Sequence, residues 1–484
     1  MITPEQWKKI EKQANKLYGE LELEIIQEIA ERIANVGYAN TVVLNDILIV
    51  QEMGLMYEDI IQLVAKYNET SVSQIKDIFE TAGVNSLEYD DKIYELAGLK
   101  PSPLKQSRGM WQLLGATALK THNNLSNLVM TTANTSQTQF YNAMNKAYME
   151  VSTGVKSYSQ SIIDTIKEIS NQGAYITYPS GQHRSIESAV RTNIITGVNQ
   201  TCGKLQEMRA DEMGWDLMEL TAHAGARPDH AEWQGKIVSR SGEKGYLSFD
   251  DIGYGKVTGF KGVNCRHDWR PYYKGSSLTY TKKELEEMKN ATVNYNGKEI
   301  SQYQAEQMQR KMERQIRQDK KDMAGLQGIL TSNTSDNKLV EDTKNAFAKK
   351  TLIYKTHQNE LNEFIKQTTL KLDNESLYVG KIDKSTIAQM SNITKLANKY
   401  NNSNIIGMKV KNIEITKIGE HFISQTYARN LKVENIVDTL KNPVKYGKIR
   451  TDKSMQIKGE SCTVVINVET GKLITTYPKK TKRD

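Results

Sequence analysis

The chain has 484 residues, 38% hydrophobic residues, a net charge of +8 and a mean hydropathy of −0.59, values that allow about three domains but not one large packed core. It is poor in Phe (7) and rich in Tyr (24), a balance that favours long helices with polar interfaces over a compact metabolic enzyme. The longest apolar runs fall short of the ~20 residues of a membrane span, the charged start "MITPEQWKKIEKQ" excludes a secretion signal, and three widely spaced cysteines exclude a disulfide scaffold.

The first region, residues 1–103, is predicted to be helical. Its apolar side chains recur every three to four residues at Trp7, Ile10, Ala14, Leu17, Leu21 and Ile25. This spacing places them on one helix face. Further amphipathic segments are predicted near residues 44–53, 57–67 and 72–82, and the break "GLKPSP" at Gly98–Pro103 marks a domain boundary or a sharp turn.

The second region, residues 104–330, is also predicted to be mainly helical. Its predicted elements are helices at 111–171, 185–213, 281–288 and 301–330 and a short strand at 175–179. The first of these helices has only a thin apolar stripe, which favours oligomeric association. Cys202 continues a four-residue apolar repeat in the second helix and is therefore predicted to be a core residue rather than a ligand.

An irregular, glycine-rich module interrupts this region between Thr221 and Pro271. It contains the spacings His223-x6-His230 and Cys265-x-His267. Two loops that supply imidazoles and a thiol are typical of a tetrahedral zinc site, so one structural zinc ion is the predicted cofactor. The alternative is that His230, Asn264 and His267 satisfy buried backbone groups around two tryptophans.

Three segments in this part of the chain resemble a known family. "YPSGQHRSIESAVRTNIITGVNQT", "HAGARPDHAEWQGK" and "GVNCRH" resemble, in matching order, the signature of the phage minor capsid proteins, which are related to head-morphogenesis proteins near the portal. The resemblance covers residues 1–328 and implies a low-copy component of a tailed-phage head, with the portal and major capsid proteins as partners. It does not imply catalysis by the histidines.

Residues 331–414 are rich in Asn, Ser, Thr and Lys and are predicted to be a linker or a poorly defined segment, with short elements such as one at 343–368. Residues 415–484 have the pattern of a small α+β domain. Two helices are predicted at 421–429 and 433–440, and strands follow at 444–449, 454–458, 462–468 and 473–477. The predicted fold class is thus a mainly α N-terminal two-thirds with a loop-rich module, followed by two helices and an antiparallel sheet.

The segments "IGEHFISQTYARN", "VKYGKIR" and "CTVVINVETGKLITTYPKKTKR" resemble a toxin domain of the barnase-like and RelE-like ribonucleases. Metal-independent RNA cleavage needs a proton shuttle and cations on the phosphate. His421 is the one histidine of the domain and suits the first role. The remaining predicted catalytic residues are Arg429, Arg450, Thr475 and Tyr477, and the predicted nucleic-acid-binding residues are Lys448, Lys453, Lys479 and Lys480.

This domain departs from ribonucleases that pair a histidine with a carboxylate, because no carboxylate is evidently paired with His421. The alternative is that His421 caps a helix and that the basic residues bind DNA or capsid without chemistry. The domain contains 14 Lys and Arg against 7 Asp and Glu, so +7 of the net +8 lies here, which indicates a polyanionic partner such as phage DNA or host RNA.

Together these patterns predict a minor structural protein of a tailed-phage head, made in the host cytoplasm and packaged inside the capsid near the portal. Two other functions stay open: a ribonuclease effector delivered with the virion, and a non-catalytic DNA-binding or ejection protein.

Overall fold

The computed structural model describes residues 1–37, 42–372, 374–380 and 382–479. Within them the helices are α1 (Pro4–Leu17), α2 (Leu21–Val36), α3 (Val42–Leu96), α4 (Arg108–Ser152), α5 (Tyr158–Gln172), α6 (Ile186–Glu212), α7 (Pro228–Ala231), α8 (Lys282–Lys289), α9 (Gln302–Thr331), α10 (Asn337–Thr368), α11 (Lys384–Asn401), α12 (Glu420–Ala428) and α13 (Val433–Lys441). No described helix is long and apolar enough to cross a membrane.

Fourteen strands within the described residues form five small sheets. They are β1 (Tyr175–Thr177), β2 (His183–Ser185), β3 (Leu217–Leu220), β4 (Ile237–Ser239), β5 (Trp269–Pro271), β6 (Thr292–Tyr295), β7 (Lys298–Ser301), β8 (Lys409–Val410), β9 (Ile413–Glu414), β10 (Lys417–Ile418), β11 (Lys445–Tyr446), β12 (Ser454–Lys458), β13 (Cys462–Asn467) and β14 (Lys472–Pro478). The predicted fold class is confirmed: a mainly helical body with a loop-rich module precedes a small α+β domain.

The helical body is built around an antiparallel pair of long helices, α3 and α4. The three amphipathic segments predicted near residues 44–82 are one continuous helix, since α3 accommodates Gly54 and contains no proline. At the predicted break, α3 ends at Leu96 and Gly98 follows with φ +81°, so this segment is a turn between α3 and α4. The apolar repeat from Trp7 to Ile25 is split between α1 and α2, since Gly19 lies in the turn between them.

Helix α9 lies in the centre of the body against α2, α5 and α10. Gly328 allows the close approach to α2, because a Cβ at this position would lie 2.6 Å from the Gln27 carbonyl oxygen. Charged groups are buried at these contacts as pairs. Lys321 Nζ lies 2.6 Å from Glu22 Oε1, and Lys350 Nζ of α10 lies 2.7 Å from Asp322 Oδ2.

The segment 331–414, predicted as a linker or a poorly defined segment, contains α10 and α11. Phe347 of α10 and Ile393 of α11 are fully buried in the same apolar core as α1–α6. The predicted element at 343–368 is part of α10, whereas α11 was not predicted. Compositional bias obscured both helices, because their Asn and Lys residues lie mainly on exposed faces while a narrow apolar face packs on the body.

The C-terminal domain has its own core of residues from α12, α13 and the strands of a five-stranded sheet. The sheet order is β10-β14-β13-β12-β11, in which β11 to β14 are antiparallel as predicted. Strand β10 was not predicted; it is two residues long and pairs in parallel with β14 at the edge. Helix α12 packs on α10 and connects the domain to the body.

Candidate metal centre and nucleic-acid interface

The segment Thr221–Pro271, called the His/Cys module below, is held by the three-stranded sheet β4-β3-β5 and a small aromatic core. Trp269 is fully buried, with its ring centroid 5.0 Å from that of Phe260. In the long loop after β4, the backbone at Gly259 packs directly against the backbone at Gly253. A Cβ at Gly259 would lie 1.8 Å from the Gly253 carbonyl oxygen. Asn264 adopts φ +57°, and this turn directs Cys265 into the module.

Three of the four predicted ligands converge. His230 comes from α7, while Cys265 and His267 come from the loop before β5; all three are buried. The two Nδ1 atoms lie 3.4 Å apart, and each lies 3.9 Å from Cys265 Sγ. A tetrahedral zinc ion would separate its ligand atoms by about 3.3 Å for two nitrogens and about 3.6 Å for nitrogen and sulfur. The described triad therefore has the dimensions of one face of such a site.

The outer nitrogens of both imidazoles face oxygen acceptors. His267 Nε2 lies 3.2 Å from Gln234 Oε1, and His230 Nε2 lies 2.9 Å from the Thr258 carbonyl oxygen. The Arg227 guanidinium contacts His230 Nε2 and the same carbonyl oxygen. A ring that donates its Nε2–H to oxygen leaves Nδ1 unprotonated, with its lone pair facing the centre of the triad. His267 has this option towards Gln234 and His230 has it towards Thr258, whereas donation from Arg227 to His230 Nε2 requires the other His230 tautomer. Sequence reasoning missed Gln234 and Thr258, although Gln234 lies within the "AEWQGK" segment.

His223, the fourth predicted ligand, lies beside this triad and outside it. Its ring stacks on His267 at 4.5 Å between centroids, and its Nδ1 lies 2.9 Å from the Ala224 carbonyl oxygen. Its Nε2 is buried and has no hydrogen-bond partner among the described groups. A buried acceptor without a partner is costly, so a donor or a cation at this position would stabilise the module.

Burial governs the protonation of the cluster. It lowers the pKa of His230 and, together with the neighbouring His223, lowers the pKa of His267 well below its usual value. Burial also raises the pKa of the Cys265 thiol. The imidazoles are therefore neutral at neutral pH and able to bind a metal, and a bound zinc ion would supply the positive charge that keeps the thiol deprotonated.

The predicted nucleic-acid residues lie on several elements of the C-terminal domain. Lys448 and Arg450 are exposed in the loop between β11 and β12. Lys453 pairs with Glu469 at 3.1 Å and Lys479 with Glu460 at 3.0 Å. Lys480 lies outside the described residues.

His421 lies at the start of α12, near the first residue of β14. Burial lowers its pKa, and so do the cations Lys349, Arg429 and Lys472. Lys349 belongs to α10, more than seventy residues upstream, so no sequence signal within the domain could have identified it.

Two other predicted catalytic residues lie on β14, and a third contacts it. Thr475 and Tyr477 share a half-buried face, because the intervening Thr476 points into the core. Arg429 donates to the Thr476 carbonyl oxygen and pairs with Glu341 of α10 at 3.0 Å. These contacts give Arg429 a connecting role between α10, α12 and β14.

Comparisons with known proteins identify the class. Residues 2–366 match the model of the family described as phage minor capsid protein 2. A protein named "Structural protein" from Lactococcus phage LL-H is 28% identical over 285 residues, which cover 55% of this chain and 73% of that protein. No solved structure gives a significant match.

The chain is a structural protein of a phage particle. It belongs to the phage minor capsid protein 2 family, and the resemblance found in the sequence is thereby confirmed for this part of the chain. The match extends into α10, beyond the boundary at residue 330 that the sequence suggested. The ribonuclease resemblance of residues 415–484 lies outside the match and stays a prediction.

Proposed function

We propose that this phage minor capsid protein acts in head morphogenesis at or near the portal, on the inside of the capsid. Family membership carries the proposal. The long α3–α4 pair also exposes large apolar side chains, among them Leu119 and Met149 at 55% and 65% exposure. Such a surface suits contacts with the portal, the major capsid protein or a second copy of the chain.

Quantitative mass spectrometry of purified particles tests this role. We expect the intact chain at low copy number in DNA-filled heads, protected from added protease until the heads are opened. A chain that is absent from purified heads, or that is digested on intact heads, contradicts an internal minor component.

We further propose that the C-terminal domain binds nucleic acid through the loop between β11 and β12. Lys448 and Arg450 are exposed there, and neither has an ion-pair partner among the described residues. Cations that are free of carboxylate partners can neutralise phosphates and release counterions. Contacts to the phosphate backbone carry no sequence information, so they suit either phage DNA or host RNA as the bound polymer.

Fluorescence anisotropy with a labelled single strand measures this binding on the full chain. We expect Lys448→Ala/Arg450→Ala to weaken binding and to make the log–log salt slope shallower by about 0.7 for each lost phosphate contact. Lys66→Ala/Lys120→Ala is the matched control, because it removes two exposed charges from α3 and α4. Equal binding by both double variants contradicts the proposed interface.

Ribonuclease activity is the second candidate function, and the surroundings of His421 favour it. A neutral imidazole beside three cations can accept a proton next to a bound phosphate. His421→Ala should abolish any RNA cleavage by the full chain and leave its RNA affinity nearly unchanged. Binding without cleavage by the unaltered chain would instead favour a non-catalytic DNA-binding or ejection protein.

A further inference from the structure

We infer that the His/Cys module binds one zinc ion through His230 Nδ1, Cys265 Sγ and His267 Nδ1, with His223 Nε2 as the fourth ligand. The inference rests on the geometry of the module and is independent of the proposed position in the head. The geometry of the module also indicates which atom of each side chain would bind the metal, whereas the spacing of the residues in the sequence does not.

The three ligand atoms converge at a spacing that fits one tetrahedral ion: the two Nδ1 atoms lie 3.4 Å apart, and Cys265 Sγ lies 3.9 Å from each. A His267 ring that donates its Nε2–H to Gln234 presents its Nδ1 lone pair to this centre, and so does a His230 ring that donates its Nε2–H to Thr258. Donation from Arg227 to His230 Nε2 requires the other His230 tautomer, so a bound ion would select the tautomer that donates to Thr258. A cation at the centre of the triad satisfies all three groups at once, and the outer hydrogen bonds orient the ligands.

The donor set selects the metal. Imidazole and thiolate in a tetrahedral arrangement suit zinc, whereas magnesium and calcium require oxygen ligands. A fully protein-ligated site is also what a buried structural zinc ion requires, and His223 is the neighbouring side chain with a free buried acceptor. To bind, its ring would turn from the stacked position on His267 towards the triad.

Such an ion would connect two parts of the module that are distant in sequence. His230 lies on α7, and Cys265 lies 35 residues later, where its carbonyl oxygen accepts a hydrogen bond of 2.9 Å from Asn199 of α6. The next residues reach the segment that precedes α1, because Asp268 Oδ2 accepts from the Ile2 backbone N–H at 2.9 Å. Zinc would therefore fix the loop that joins the module to the helical body.

Elemental analysis of the purified full chain is the first test. We expect one zinc ion per chain in the unaltered protein and in Cys462→Ser, which removes a buried cysteine of the C-terminal domain as a matched control. Cys265→Ser should lose at least nine-tenths of the metal. Substoichiometric zinc in the folded unaltered chain, or full zinc in Cys265→Ser, overturns the site.

Cobalt substitution tests the ligands even if a variant folds poorly. The unaltered chain should show the visible bands of tetrahedral cobalt and a thiolate-to-cobalt charge-transfer band. In His223→Ala, water should replace one imidazole, so the visible bands should shift and zinc affinity should fall at least tenfold. An unchanged spectrum and affinity in His223→Ala overturns the fourth ligand, and absence of the charge-transfer band in the unaltered chain overturns Cys265 coordination.

Discussion

The helical body and the His/Cys module bury very different kinds of residues. In the body, one continuous cluster of apolar side chains extends from α1 to α11, and its buried charges lie in pairs such as Glu22 with Lys321. The module has a small core, a cluster of eight buried hydrophobic residues that includes Trp269 and two residues of β3, and its long loop has little regular structure. The difference indicates that the body is stabilised mainly by the burial of apolar surface, whereas the module depends on a few polar contacts at its centre.

The largest effect is expected from Phe347→Ala, which tests whether α10 belongs to the body. Phe347 is fully buried in the main core, so its truncation should lower the free energy of unfolding by about 3–5 kcal/mol. Urea denaturation followed by circular dichroism measures the change. Ile387→Ala on α11 is the control, because Ile387 is 53% exposed and its truncation should cost less than about 0.5 kcal/mol. If Phe347→Ala and Ile387→Ala lowered the free energy of unfolding equally, α10 would lie outside the core.

Lys321→Met tests the buried charges of the body. It leaves Glu22 buried without its cation and should cost about 3 kcal/mol near neutral pH. Burial already raises the pKa of Glu22, opposed by Lys321, and the substitution should raise this pKa further. Because the folded pKa then exceeds the unfolded one, the variant should be most stable below the unfolded pKa of about 4.5 and lose stability as pH rises through the folded pKa.

The double variant Glu22→Gln/Lys321→Met is the control for this pH dependence. It removes both charges, so its stability should vary less between pH 5 and pH 8 than that of Lys321→Met. A single variant that is as stable as the unaltered chain across this range would show that the pair contributes nothing to the body.

Gly259→Ala tests the close backbone contact in the long loop of the module. The added methyl group would collide with the Gly253 carbonyl group, so we expect a loss of about 1–3 kcal/mol confined to the module. Gly115→Ala in α4 is the matched change in the body. It meets open space and should stabilise the helix by about 0.5–1 kcal/mol. Local hydrogen exchange reports both effects, and a Gly259→Ala chain with unchanged exchange would contradict the close backbone contact.

Sequence patterns predicted the parts of the fold that local periodicity determines. The apolar repeats predicted α6 and α9, and the alternation around "ETGK" predicted the β13–β14 hairpin. The continuity of α3 could not be predicted in this way, because α3 packs against α1, α2, α4 and α6, which are tertiary contacts without a local sequence signal. Helix α10 was predicted only as a short element at 343–368, and its place in the body could not be predicted because its partner surface is formed by residues far away in the chain.

In the candidate sites, too, the contacts between residues far apart in the chain could not be predicted from local sequence patterns. The His and Cys spacing identified the three converging side chains, but the hydrogen-bond partners that orient them, Gln234 and Thr258, depend on how the loop folds back. The charge of Lys349 lowers the pKa of His421 because α12 packs on α10. This is a tertiary contact, and no local sequence pattern predicts it.

Hydrogen exchange of the full chain with and without a zinc chelator tests most directly whether a metal ion stabilises the His/Cys module while apolar burial stabilises the body. We predict that chelation removes amide protection from residues 221–271 and leaves α3 and α4 as protected as before. Protection of the module that is identical with and without the chelator would contradict the claim, as would an equal loss in α3 and α4.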